Sequence, residues 1–416
     1  MTAGYRMTLQ RIVRALRHRN YRLFFAGQSI SLIGTWMQRV AMNWLVYRLT
    51  GSAFLLGVVN FTGQAPTLLF TPFAGVIADR YDRHRLLTAT QVMAMVQAAL
   101  TAVLVLTDVI AVWHLMLLSL FLGIVNAFDT PIRQSMVVEM IDNRDDLGNA
   151  IALNSSMVNA ARLVGPSIAG ILIATVGEGM CFLLNAISYV AVIMALKAMT
   201  MAPRYGRARG PHIWQAWREG VSSAFGSPPI RLVLLLLAVV SFMGMPYATL
   251  LPIFAQEVLH GGAQTLGFLM GAAGIGALVG AMFLASRDTV LGLETVLVVA
   301  AAIFGSGLIA FAQSRVVWLS LGLMVLSGFG MMVQMAASNT LVQTLVDDDK
   351  RGRVMSLYTM CLRGMVPLGS LVAGGLASYI GAPTTLTLGG ICCLLGAFLF
   401  ASRRTAFKAP ATSQMR

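Results

Sequence analysis

Polar residues interrupt this chain only briefly. Apolar runs of about 20 residues, the length a helix needs to cross a bilayer, fall near 22–47, 54–78, 86–107, 112–134, 149–174 and 179–200. Six more fall near 230–256, 264–286, 290–312, 316–340, 354–379 and 384–402. The pattern predicts an all-α membrane protein with twelve transmembrane helices. The longest polar connection, 201–229, separates the sixth run from the seventh; it holds the basic PRYGRARGPH and then IWQAWREGVSSAFG, which reads as an amphipathic surface helix. The expected organisation is a cytoplasmic basic amphipathic segment at 1–21, an N-terminal six-helix bundle at 22–200 and a cytoplasmic linker at 201–229. A C-terminal six-helix bundle at 230–402 and a cytoplasmic tail at 403–416 complete it.

Composition excludes an ordinary soluble domain, since 57% of residues are hydrophobic and only 11% charged. Thirty Lys and Arg against 16 Asp and Glu could suggest nucleic acid, but the bases sit in short loops rather than along one stripe. Membrane orientation accounts for them better. With both termini inside, the cytoplasmic set holds Arg6, Arg11, Arg14, Arg17, Arg19 and Arg22, then Arg80, Arg83 and Arg85, and Arg144. It also holds Lys197, Arg204, Arg207, Arg209, Arg218, Arg287, Lys350, Arg351, Arg353 and the tail, while the outer loops keep Arg48 and Arg315. The basic stretch MTLQRIVRALRHRN runs directly into the first span, so it is expected on the anionic inner leaflet and not as a cleavable signal. Cys181, Cys361, Cys392 and Cys393 lie in apolar runs without ligand spacing, so no disulfide framework, metal site or cofactor is expected.

An internal repeat runs through the two halves. Gly123, Asp142, Leu153, Gly165, Ala169 and Gly170 recur as Gly328, Asp347, Leu357, Gly369, Ala373 and Gly374, in order. The run GAAGIGALVG, Gly271 to Gly280, lies inside a span with no strand before it, so it reads as close helix packing and not as a nucleotide loop. There is no Walker A sequence, so ATP is not expected to drive the chain directly.

The densest knot of charge in the first half is GVIADRYDRHRLL, Gly75 to Leu87. It resembles the loop 2–3 signature of the major facilitator superfamily, with Gly75, Ile77, Ala78, Asp79, Arg80 and Arg83 in matching places. Asp82 stands where Gly is usual and His84 where a base is usual. Ser31 to Phe54, Asn126 to Val137 and Asn159 to Gly170 are similar to the enterobactin-exporter-like branch, which also includes macrolide and nickel efflux proteins. Gly165 and Pro166 with Gly170, preceded by Arg162, resemble the antiporter motif of helix 5, although Ala161 and Ala169 replace two of its glycines. The resemblance implies two pseudo-symmetric six-helix bundles of the major facilitator fold, working by alternating access. It further implies export of siderophore-like or drug-like amphiphiles, proton antiport, a bacterial inner-membrane location and sufficiency of a monomer.

In such a fold helices 1, 4, 7 and 10 line the path. Helix 1 would then supply Gln28, Gln38, Arg39 and Asn43 to the cargo; Arg39 either marks the site or snorkels to the outer face. Helix 4 supplies Asn126, and Asp129 with Arg133, which the resemblance joins to Asp79, Arg80 and Arg83 as one charge latch. Asp129 could also carry the coupled proton. Helix 7 offers Tyr247 beside a kink at Pro246, and helix 10 offers Met331, Gln334, Met335 and Ser338, a Met-rich face suited to varied apolar ligands. Arg39, Arg162 and Arg363 together favour anionic or neutral cargo. The alternatives are a metal-ion or other small-solute transporter of the same fold, and a polytopic enzyme acting on lipid or isoprenoid substrates through Asp347, Asp348 and Asp349.

Overall fold

The computed structural model describes residues 14–201, 222, 224–287, 289–347 and 350–403, with the backbone alone for 71–80. Twelve helices of membrane length follow one another: α1 Arg19–Thr50, α2 Ala53–Arg80, α3 Arg83–Leu106, α4 Val112–Glu139, α5 Leu147–Val176 and α6 Glu178–Ala198. The second half gives α7 Pro228–Val258, α8 Ala263–Ala285, α9 Leu293–Gln313, α10 Val317–Leu345, α11 Arg351–Ile380 and α12 Ala382–Ser402. No strand occurs among the described residues. Among the described residues, eleven of the helices are long and apolar enough to span a membrane. Only α1, at 32 residues, is long enough but less apolar, because Arg22, Gln28, Gln38, Arg39 and Asn43 all stand in it. The expected linker helix, most of the basic N-terminal segment, the tail, and Asp348 with Asp349 lie outside the described residues.

The repeat seen in the sequence is a repeat of packing. Gly123 of α4 approaches the backbone of Gly63 in α2, where an added Cβ would sit 2.5 Å from the Gly63 carbonyl oxygen, and Gly328 of α10 meets the Ala273 carbonyl of α8 in the same way. Gly165 of α5 lets Trp36 and Ile33 of α1 come close, as Gly369 of α11 does for Phe242 and Pro246 of α7. Each glycine thus removes a side chain at one crossing, and the same crossing recurs in each half. The short turns repeat as well: Gly177 (φ +85°) precedes α6 and Gly381 (φ +81°) precedes α12, a backbone conformation that favours glycine.

Helices α7 and α11 are not regular. Wide π-turns occupy Val240–Gly244 and Phe254–Val258 in α7 and Met360–Gly364 in α11. The first lies directly before Pro246, whose missing N–H breaks the α ladder, and the Met245 N–H reaches five residues back to the Val240 carbonyl at 3.0 Å. The expected interruption at Pro246 is present.

The helices group into two units. One contains the described residues within Met1–Leu45 and Thr62–Arg209, the other those within Val46–Phe61 and Gly210–Arg416. The second unit therefore includes the α1–α2 hairpin, which the sequence places in the first bundle. Inside that unit the Tyr47 hydroxyl donates to Glu257 Oε1, and Gly57 leaves room for the Ser370 carbonyl and Gly374 Cα of α11. Because α1 is one continuous helix, nothing in its pattern marks where its packing partner changes.

In the first unit a polar cluster outside the membrane ties the start of α1 to the α4–α5 connection. His18 Nδ1 lies 3.1 Å from Asp142 Oδ2 and Nε2 lies 3.0 Å from Asp146 Oδ2, so a protonated imidazole donates to both. Arg14 also pairs with Asp146, and Asn149 accepts from the Ala15 N–H. Burial pulls the His18 pKa down, but hydrogen bonds with Asp146 and Asp142 and both negative charges more than reverse this, and the pKa is raised above 6.5. Such a tie is complete below the unfolded-state pKa near 6.5 and is lost as pH rises through the higher folded value. Thermal unfolding of wild type and His18→Gln between pH 6 and 8.5 is expected to show the widest gap at the acidic end, closing towards pH 8.5. A gap that stays constant or widens with pH would exclude the charged tie.

Candidate functional site

Beyond the His18 cluster, polar side chains of several helices of the first unit meet at three further places among the described residues. The first is a buried chain of amides: Gln38 Nε2 donates to Gln97 Oε1 of α3 at 2.8 Å, and Asn185 Nδ2 of α6 donates to Gln38 Oε1 at 2.5 Å. Gln97 continues to Thr101, and Asn185 is held by Ser188. Both ends of the Gln38 amide are thus used in joining α1, α3 and α6. These bonds give Gln38, expected as a cargo contact, a place inside the unit where an unsatisfied amide would be costly. Gln28 differs, since it is buried while its Oε1 meets no donor. Asn43 is buried and Asn126 half-buried.

The second place is Asp129. This buried carboxylate of α4 accepts from Thr90 Oγ1 at 3.0 Å and Gln91 Nε2 at 2.5 Å, both on α3, and Arg133 Nε stands 3.4 Å from its other oxygen. One helical turn separates Asp129 from Arg133, which places their side chains on the same face. Arg83 also bonds a carboxylate of α4, Glu139, at 2.6 Å. Glu139 lies ten residues beyond Asp129 on α4, about 15 Å along the axis. Among the described residues the charges of the expected latch stand as two pairs, Arg83 with Glu139 at the helix ends and Arg133 with Asp129 deeper in. Glu139 was missed because its partner lies on another helix and no fixed spacing reports it. The side chains of Asp79 and Arg80 lie outside the described residues.

The two departures from the signature have local explanations. Asp82 caps α3, accepting from the His84 and Arg85 N–H groups at 2.9 and 3.1 Å, as a carboxylate at a helix N-terminus does. His84 Nε2 lies 2.8 Å from the Leu196 carbonyl near the end of α6, where a donor is favoured.

The third place is Trp36. The Arg39 guanidinium carbon is 4.7 Å from the centre of its indole, and that of Arg162 is 5.3 Å away. Gly165 makes this possible, because a Cβ there would fall 2.6 Å from Trp36 Cβ and 2.9 Å from the Ile33 carbonyl. So Gly165 of the antiporter-like motif sets the α1–α5 approach that gathers Arg162, Trp36 and Arg39. Pro166 and Gly170 are buried in the same helix. Trp36 is the residue that sequence reasoning passed over. The signal was its spacing, three residues before Arg39 and so on the same helix face.

In the second unit Tyr247 is buried edge-on against Phe304, ring centres 6.1 Å apart. Gln334 and Ser338 of α10 are fully buried and 3.4 Å apart, with Gln334 Oε1 meeting no donor. Met331 is buried nearby in sequence, and the Met335 carbonyl accepts from the Tyr358 hydroxyl of α11 at 2.9 Å.

The transmembrane secretion effector family model matches residues 13–414. The chain is 28% identical over 397 residues to a staphyloferrin A transporter of Staphylococcus aureus, covering 92% of this chain and 97% of that one. It is 24% identical over 404 residues to macrolide efflux protein A of Streptococcus pyogenes, covering 91% and 96%. A solved bacterial homologue of the human lysosomal transporter Spinster superposes with a TM-score of 0.71 at 16% identity, covering 95% of this chain and 99% of that one, which supports the fold. Relatives of this kind are membrane transporters, not enzymes, and the matched length leaves neither half out. The chain belongs to the transmembrane secretion effector family of major facilitator transporters.

Proposed function

We propose that the chain is a secondary active exporter of small amphiphilic organic molecules, siderophore-like or drug-like, driven by proton antiport and working by alternating access. It acts in the bacterial inner membrane with both termini in the cytoplasm, and one chain suffices. The observation that carries the reading is Asp129: a buried carboxylate inside an apolar span, held by Thr90 and Gln91 of one neighbouring helix and Arg133 of its own. Taking up a proton there removes the charge that Arg133 faces, which couples protonation to the α3–α4 contact. Arg39, Gln28, Asn43 and Asn126 in the first unit, and Tyr247, Met331, Gln334, Met335 and Ser338 in the second, are the proposed cargo contacts. Gln38 is left out of that set.

The test is transport in proteoliposomes holding the purified chain under an imposed pH gradient. Ethidium, erythromycin and desferrioxamine serve as cargo probes, and lumenal pH is followed by a dye. Cargo movement that dissipates the gradient, and stops when an ionophore collapses it, is expected. Movement unaffected by the ionophore would sink the coupling, and no movement of any of the three would sink the cargo class.

A further inference from the structure

We infer that Gln91 is the positioning residue that holds Asp129 in both protonation states, its amide presenting nitrogen to the carboxylate and turning to present oxygen to the carboxylic acid. The inference rests on the proton-antiport reading and deepens it. The first observation is which oxygen the proton can occupy. Arg133 Nε stands 3.4 Å from Oδ2, and a guanidinium only donates, so that oxygen stays an acceptor. Oδ1 faces Thr90 Oγ1 at 3.0 Å and Gln91 Nε2 at 2.5 Å. A hydroxyl and an amide can each donate or accept, so the partners of Oδ1 suit either state. Besides Arg133, the buried Tyr189 of α6 stands within electrostatic reach of the carboxylate.

The second observation is the freedom of the Gln91 amide. Gln91 is buried, and among the described residues its Oε1 meets no donor. Gln38 provides the contrast: its nitrogen donates to Gln97 and its oxygen accepts from Asn185, so turning it would break two bonds. Gln91 is held at its nitrogen end, by Asp129. Half a turn about its last torsion exchanges nitrogen and oxygen in nearly the same space, and that torsion is broad and close to two-fold. Oδ1 then gains the proton, and its O–H donates to Gln91 Oε1 where the Gln91 N–H had donated to it. The unpartnered end of the amide passes from oxygen to nitrogen, so the amide favours neither state strongly.

The third observation concerns Thr90. Its Oγ1 lies 2.8 Å from the Leu87 carbonyl as well as 3.0 Å from Asp129, and it has one hydrogen for two acceptors. Protonation of Asp129 releases that hydrogen to Leu87 and asks no movement of the side chain. Gln91 is the nearer group, and an N–H left in place would point at a protonated oxygen. An amide oxygen is also a stronger acceptor for an acid than a hydroxyl is, so the turn falls to Gln91.

The experiment records acid-minus-alkaline infrared difference spectra of the full chain in lipid films, with and without an isotope label on the glutamine side-chain carbonyls. A protonated-carboxyl band and a label-sensitive amide band are expected together, and Asp129→Asn should remove both. Gln91→Met keeps the length of the side chain without donor or acceptor. It should remove the amide band, shift the carboxyl band and slow gradient-driven export about tenfold, as loss of a hydrogen bond to a charged group would. Gln38→Met should leave the amide band in place. A carboxyl band without the amide band in the wild-type chain would overturn the inference even if Gln91→Met does not fold, and so would an unshifted carboxyl band in folded Gln91→Met. In either case a carboxyl band that Asp129→Asn removes leaves the proton-antiport reading standing. A spectrum that Asp129→Asn does not change would overturn the inference together with the role of Asp129 in that reading.

Discussion

Asp129→Asn is expected to abolish gradient-driven export, with a loss of at least tenfold in initial rate, while the chain still folds. Asn keeps an acceptor for Thr90 and Gln91 in nearly the same volume, so the α3–α4 contact loses little shape. What disappears is the charge facing Arg133 and the group able to exchange a proton. Removing one member of a buried ion pair costs about 3–5 kcal/mol when nothing replaces it. Hydrogen bonds retained by the amide should hold the loss nearer about 1–3 kcal/mol. The double variant Asp129→Asn with Arg133→Gln separates the two roles. If the pair serves only as a latch, neutralising both ends should restore stability and a large part of the transport. If Asp129 carries the proton, stability should return while transport stays lost. Undiminished coupled export by Asp129→Asn alone would remove the carboxylate from the mechanism. Glu139→Gln provides the contrast: its pair with Arg83 is about one-fifth exposed or less at each side chain and stands at the helix end, so a smaller loss of stability is expected.

The helices themselves were legible because a bilayer imposes a length, and twelve apolar runs of that length are hard to read otherwise. The repeat was legible for a related reason: Gly123 and Gly328, and Gly165 and Gly369, remain glycine where a Cβ would strike backbone on a neighbouring helix. Which way a polar residue faces was not legible. A helix buried in protein on one side and lipid on the other is apolar all round, so its periodicity does not point to the core. Gln38 shows the consequence. Its partners, Gln97 and Asn185, lie 59 and 147 residues away, and only the fold shows that they consume its amide.

The charged residues divide along the same line. Arg133 with Asp129 could be expected from their spacing of four on one helix, whereas Arg83 with Glu139 depends on how α3 meets α4. Trp36 with Arg39 lies between these cases, since spacing brings the two together but only Gly165 explains the arrival of Arg162. The grouping of Val46–Phe61 with the second unit had no local signal at all.

Gly276→Ala is expected to destabilise the chain by about 3 kcal/mol or more, at the upper end of the range for overpacking. The new methyl would fall inside the Val325 carbonyl oxygen and within 2.8 Å of the Phe329 nitrogen. Those are backbone atoms of α10, which cannot swing aside as a side chain can, so α8 and α10 must move apart or bend. Gly328 opposes the Ala273 backbone on the same seam, and Gly280 opposes Phe329, so a shift at Gly276 disturbs the whole contact. Gly322→Ala in α10 and Gly375→Ala in α11 are the controls. Neither new methyl meets an atom within 4 Å, and alanine should gain about 0.5–1 kcal/mol over glycine in a helix interior. Unfolding midpoints of the three variants in one detergent decide the matter. A Gly276→Ala protein as stable as Gly322→Ala would mean that the glycine run of α8 does not set the helix separation. The expected loss would show that this run sets how closely α10, with its proposed cargo contacts Gln334 and Ser338, lies against α8.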